Sequence, residues 1–119
     1  LSKFTNGEII CSDNLSLLDG ELNKSVKPYD ALIIGVFQKA DNENPSFNKI
    51  PIVSNGVCPV KFNSENGTIK KGDPLTSSSV PGVAMKATQS GMIIGIALED
   101  ASSSTGLVKI RVLVQYVKH

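Results

Sequence analysis

A chain of 119 residues, 40% hydrophobic and 19% charged, holds material for one folded core, which excludes both two independent cores and a disordered polymer. Twelve basic against eleven acidic side chains give a formal charge of +1 with no basic cluster, so nothing draws the chain electrostatically toward nucleic acid. No apolar run approaches the roughly 20 residues of a membrane-spanning helix, and no membrane insertion is expected.

The chain opens on Leu1 rather than Met, which reads as a single β-domain over 1–119 excised or processed from a longer chain. No window holds a helical period, and short β-type runs alternate with turn signals instead. Asn6-Gly7 marks the first turn, before a strand over Glu8–Cys11. Further strands are expected over Leu15–Leu18 and Leu32–Gln38. The Asn- and Asp-rich stretch 39–48, KADNENPSFN, reads as an exposed loop with Phe47 as a candidate contact residue.

Ile50–Ser54 and Val57–Phe62 flank Asn55-Gly56 and predict a two-residue hairpin, with Pro51 and Pro59 confined to edges or outward-facing amides. Asn66-Gly67 is the next turn. In GDPLTSSSVPG, Gly72-Asp73-Pro74 turns into a short strand at Leu75, and Pro81-Gly82 turns out of it. Strands over Ala84–Ala87 and Met92–Leu98 follow, then an exposed loop over Glu99–Gly106.

The last segment, GLVKIRVLVQYVKH, alternates most regularly. Val108, Ile110, Val112, Val114 and Tyr116 are expected to face the core. The opposite face turns apolar at Leu113 and Val117, which predicts cover from another element or another chain.

Candidate chemistry is thin. A phosphate loop wants Gly-x-x-x-x-Gly-Lys-Ser/Thr before a helix, whereas Gly72 precedes an acid and a proline that lacks an N–H. A serine nucleophile at Ser77, Ser78 or Ser79 needs a base, and the only histidine is His119. The hydroxyls from Thr76 to Ser79 are better read as partners for main-chain groups where the ladder ends. Glu99-Asp100 and Asp41 with Glu43 lack the dense oxygen ligands of a Ca²⁺ loop, and no Cys/His spacing suits zinc. No catalytic residue, metal or cofactor is expected. Cys11 and Cys58 read as buried small hydrophobes, with a disulfide as the alternative.

Two motifs recur in order. NGEIICSD (6–13) parallels KGDPLTSS (71–78), and DALIIGVFQKAD (30–41) parallels SGMIIGIALEDA (90–101). The pattern predicts an all-β, β-clip-like or small-barrel domain made of two related hairpin units, with little or no helix. Ile34 and Ile94 are expected at equivalent core positions.

The segments Tyr29-Asp30 to Val36, Val60-Lys61 to Asp73, Leu75–Ala87 and Gly95–Glu99, above all Gly-Asp-x-Leu-Thr-Ser-Ser, resemble a domain near the C-terminal ends of phage tail-fibre-like and bacterial surface proteins. A looser resemblance links the Gly-Asp turns to β-clip domains of the SAF and capsid-decoration type. The resemblance implies a non-catalytic structural or adhesive module of an extracellular fibre, virion or cell surface, assembling as a trimer. Its implied partners are other fibre or surface subunits and a glycan or host receptor. The alternatives are a monomeric decoration domain and, further off, a self-cleaving or small hydrolase domain.

Overall fold

A computed structural model describes residues 4–12, 22–38 and 52–118. The expected strand at Leu15–Leu18, the loop 39–48 with Phe47, Pro51 and His119 lie outside these residues. The described part holds nine strands and no helix. Four form an open antiparallel sheet in the order β2 (Leu22–Lys24), β1 (Ile9–Ser12), β3 (Ile33–Phe37), β4 (Ile52–Val53). Five close into a barrel in the order β5 (Asn55–Asn63), β7 (Ala84–Lys86), β6 (Pro74–Ser77), β8 (Gly91–Ala97), β9 (Thr105–Val117). All pairings are antiparallel except β5 with β7, which meet in parallel at Phe62 and Ala84.

The repeat is real at the level of single hydrogen bonds. The orders β2-β1-β3-β4 and β7-β6-β8-β9 match, and so do their registers. Ile10 lies opposite Lys24 and Gly35, while Leu75 lies opposite Lys86 and Gly95. Gly7 N donates to Phe37 O and Gly72 N to Ala97 O, each at 2.8 Å. In return Phe37 N donates to Glu8 O at 2.8 Å and Ala97 N to Asp73 O at 2.9 Å.

The two glycines at these corners have φ of 90° and 93°, a region that side chains with a Cβ seldom occupy. A second glycine pair lets the next strand close in. A Cβ on Gly35 would lie 2.5 Å from Val53 O, and one on Gly95 would lie 2.1 Å from Arg111 O.

β5 is the strand added to this duplicated unit. It joins the first copy to the second and bridges β7 to β9, so the second copy becomes a barrel while the first stays an open sheet. Along β5, Cys58, Val60 and Phe62 point inward, and Val57, Pro59 and Lys61 alternate outward. Pro59 is tolerated mid-strand because β7 reaches β5 only at Phe62, leaving one ladder neighbour there.

One apolar cluster spans both sheets, with Ile9, Ile33 and Val36 from the open sheet against Val60, Ile94, Ile110 and Val112 from the barrel. The other face of the open sheet carries a smaller cluster of Phe4, Ile10 and Phe37, backed by Ile34 and Ile52.

Three expectations need correction, and one strand went unforeseen. Asn55-Gly56 is not a hairpin turn: β4 pairs with β3, while Asn55 and Gly56 lie inside β5, opposite Leu113 and Val112. The chain changes sheets at Ser54, and Gly56, with φ of 128°, absorbs the change of direction. Ile34 is half-buried in the smaller cluster, unlike Ile94, which is fully buried in the main core.

The β8–β9 ladder is interrupted by a bulge between the pairs Ile93–Gln115 and Gly95–Val112, one residue of β8 against two of β9. Near the end of the strand Tyr116 is 65% exposed rather than buried in the core. Strand β2, finally, had no signal in the sequence.

Candidate functional site

The loop Gly72–Ser79 is built from hydroxyls that are already in use. Thr76, Ser77 and Ser78 are fully buried. Thr76 Oγ1 donates to Met92 O at 2.6 Å. Ser77 Oγ donates to Lys27 O at 2.7 Å and accepts from Asp30 N at 2.9 Å. Ser78 Oγ donates to Val83 O at 2.7 Å. Ser79, at the surface, donates to Glu65 Oε1 at 2.9 Å. Each of these buried hydroxyls donates to a main-chain carbonyl and so fastens main chain.

The remaining turn residues do similar work. Gly67 has φ of 118° and Gly82 of 76°. Asn66 Nδ2 donates to Lys86 O at 2.9 Å and to Thr88 Oγ1 at 2.8 Å. Asp73 Oδ2 accepts from Lys70 N at 2.9 Å, and Pro74 opens β6. Pro81-Gly82 is drawn across to the open sheet, where Ile9 N donates to Gly82 O at 2.8 Å and Gly82 N to Ser25 O at 2.9 Å. Among the described residues no group of three or more His, Cys, Asp and Glu side chains converges.

Cys11 and Cys58 are unbridged and buried, one in each sheet, and burial pushes the Cys58 thiol above its ordinary pKa.

The sequence reading passed over one polar site, at the corner of the first repeat. Glu8 is buried, and its Oε2 lies 3.3 Å from both Lys24 Nζ and Lys61 Nζ. Thr5 N donates to its Oε1 at 2.7 Å. Loss of water around the carboxyl acts to raise its pKa. The Thr5 N–H and the two ammonium groups outweigh that effect, so Glu8 titrates below its ordinary value. The second copy repeats the corner, with Asp73 Oδ2 3.6 Å from Lys86 Nζ. The clue in the sequence was the matched acid after Gly7 and Gly72.

Tyr29, a non-glycine residue with φ of 54°, is a second device the sequence did not announce. Its hydroxyl oxygen accepts from Thr88 N at 2.8 Å and Gln89 N at 3.0 Å, and its ring occupies the space a Cβ on Gly91 would need. It clamps the first half of the chain to the second.

The surface feature that remains is apolar. Past Leu113, the last residue of β9 that pairs with β5, β9 pairs with the start of β8 alone, Met92 with Tyr116 and Gly91 with Val117. Side chains of directly opposed residues share a face, so Met92 and Tyr116 point together. Tyr116 is 65% and Leu113 41% exposed, Val57 on β5 opposite Arg111 is 54% exposed, and Val117 is half-buried. Of the candidate interface residues, Leu113 therefore lies open and Val117 only partly so.

No protein-family model, curated protein or solved structure matches the chain.

Proposed function

We propose that this chain is a non-catalytic structural or adhesive module of an extracellular fibre, virion or cell-surface appendage, working as a homo-oligomer with a trimer as the expected state. The observation that carries the assembly is exposed apolar surface at Val57 and Leu113 along the β5–β9 pair and at Tyr116 near the end of β9. Exposed apolar surface of this kind marks contact sites. The hydroxyl-rich loop supports the non-catalytic half of the reading, since its buried groups are all engaged with main chain. The extracellular setting, and the expected partners among fibre subunits, glycans or host receptors, rest on the tail-fibre resemblance of the Gly-Asp-x-Leu-Thr-Ser-Ser segment.

Light scattering on the purified chain tests the reading. A trimer has three times the chain mass of 12.6 kDa. A clean monomer that persists at high concentration, and that binds a larger lattice, would replace this reading with that of a decoration domain.

A further inference from the structure

The duplicated unit is closed only once. In the second copy β5 joins β7-β6-β8-β9 into a barrel, whereas no described strand takes that place between β2 and β4 of the first copy. The repeat fixes where such a strand would lie. Val53 stands to Gly35 as Arg111 stands to Gly95, so Ile52 corresponds to Ile110, which pairs with Cys58 of β5. Leu22 pairs with Ser12 as Ala84 pairs with Ser77, so Leu22 corresponds to Ala84, which pairs with Phe62. A fifth strand would therefore run antiparallel to β4 at Ile52 and lie parallel to β2 at Leu22 four residues later. That span is roughly 13 Å at about 3.3 Å per residue.

Three observations distinguish this place from its filled counterpart. Ile94 and Ile110 are fully buried in the barrel, but the matching Ile34 and Ile52 are only half-buried. Ser25 N donates to Ile9 O, so the main-chain groups of the adjacent Lys24 point away from β1, and they bond to no described residue. A cavity of about 550 Å³ opens beside this edge, with Phe4, Lys24 and Val26 in its lining, and Val26 is 63% exposed. In the second copy the matching residues are covered, since Lys86 O and Thr88 Oγ1 both accept from Asn66 Nδ2 in the turn that follows β5.

We propose that the open sheet accepts a fifth strand from another chain, an extended peptide whose alternate side chains are apolar and small. Main-chain bonds to the edges of β2 and β4 supply the affinity, and the inward side chains meet Ile34 and Ile52. The occupant that the repeat specifies is a strand, because β5 fills the same place in the second copy. Small side chains are required because the first copy has Phe4 where the second has Ile69, and Phe37 where the second has Ala97. Lys24 Nζ is already held by Glu8, so recognition falls to main chain and apolar positions rather than to charge. The site is separate from the apolar residues of β5 and β9 that carry the trimer reading.

The probe is a fluorescein-labelled peptide with the sequence of β5, residues 55–63, carrying Cys58→Ser to prevent oxidation and Phe62→Ala to suit the fuller interior. Fluorescence anisotropy is expected to show saturable one-to-one binding to the folded chain, and a peptide of the same residues in scrambled order should not bind. At saturation, hydrogen exchange should slow about tenfold or more at the Lys24 and Ile52 amides and stay unchanged along β5 and β9. Ile52→Lys, checked for folding by circular dichroism, should weaken the peptide about tenfold or more. Absence of saturable binding overturns the proposal and means that Phe4 and Phe37 already fill the place of the strand. Equal binding by the scrambled peptide, or undiminished binding by folded Ile52→Lys, overturns it as well. So does altered exchange along β5 and β9 with none at Lys24, which would mean that the peptide displaces the resident strand of the barrel.

Discussion

Glu8 and the glycines show how single residues hold the corners of the fold. Because Glu8 titrates below its unfolded value, its contribution to stability is complete above the ordinary carboxyl pKa of 4.5 and is lost as pH falls through the lower folded value. Glu8→Gln should therefore cost about 1–3 kcal/mol at neutral pH and flatten the acid limb of the stability curve. Thermal melts between pH 3 and pH 7, about the ordinary carboxyl range, measure both effects. An unchanged acid limb would show that Glu8 is not the group responsible. Gly72 and Gly95 separate conformational from steric cost. A Cβ on Gly72 meets nothing within 4 Å, so Gly72→Ala should cost only the backbone strain, about 1 kcal/mol. Gly95→Ala drives a Cβ into Arg111 O and should cost several times more. Equal losses for the two would refute this division.

At the scale of elements, the duplicated unit and its two unequal destinies decide what the sequence could announce. The repeat was legible because Gly7-Glu8 and Gly72-Asp73 must each supply a positive-φ corner and an acid for a lysine one strand away, a demand that leaves the same letters in both halves. The pairing of β4 was not legible. Asn55-Gly56 is a genuine local turn signal, but whether Ile52 and Val53 pair with Val57 onward or with β3 depends on contacts some 16 residues distant, a separation on which local preference is silent. The same holds for Tyr116, whose alternation is regular in sequence but which lies where only the start of β8 pairs with β9 and is left exposed. The hydroxyl loop was legible as structure, whereas the Glu8 corner and the Tyr29 clamp needed coordinates. Inequality between the copies gives a prediction. Ile94→Ala should cost about 2–5 kcal/mol as a core truncation. Ile34→Ala should cost about 1–2 kcal/mol, since part of that side chain already meets water. Chemical denaturation of both variants settles the order, and an equal cost would mean that the smaller cluster is as tightly packed as the main core.

The whole molecule consists of an open sheet and a barrel that share one core, and this arrangement sets how it comes apart. Ile9, Ile33 and Val36 pack into the same cluster as Val60 and Ile110, so neither sheet has an apolar face that is complete alone. Three ties reinforce the joint. Lys61 N donates to Gly7 O at 2.8 Å, Gly82 is hydrogen-bonded between Ile9 and Ser25, and Tyr29 caps the turn at Thr88 and Gln89. Unfolding should therefore be a single cooperative event. The protein carries its own reporters, since Cys11 lies in the open sheet, Cys58 lies in the barrel, and both are buried thiols. In rising denaturant, followed with a thiol reagent and mass spectrometry, the two cysteines should become reactive at the same midpoint. Tyr29→Ala touches neither cysteine and removes the clamp between the halves, so it should lower both midpoints together. If Cys11 reacts at a clearly lower denaturant concentration than Cys58, the open sheet detaches on its own as a local unit, and the shared core is not what binds the halves.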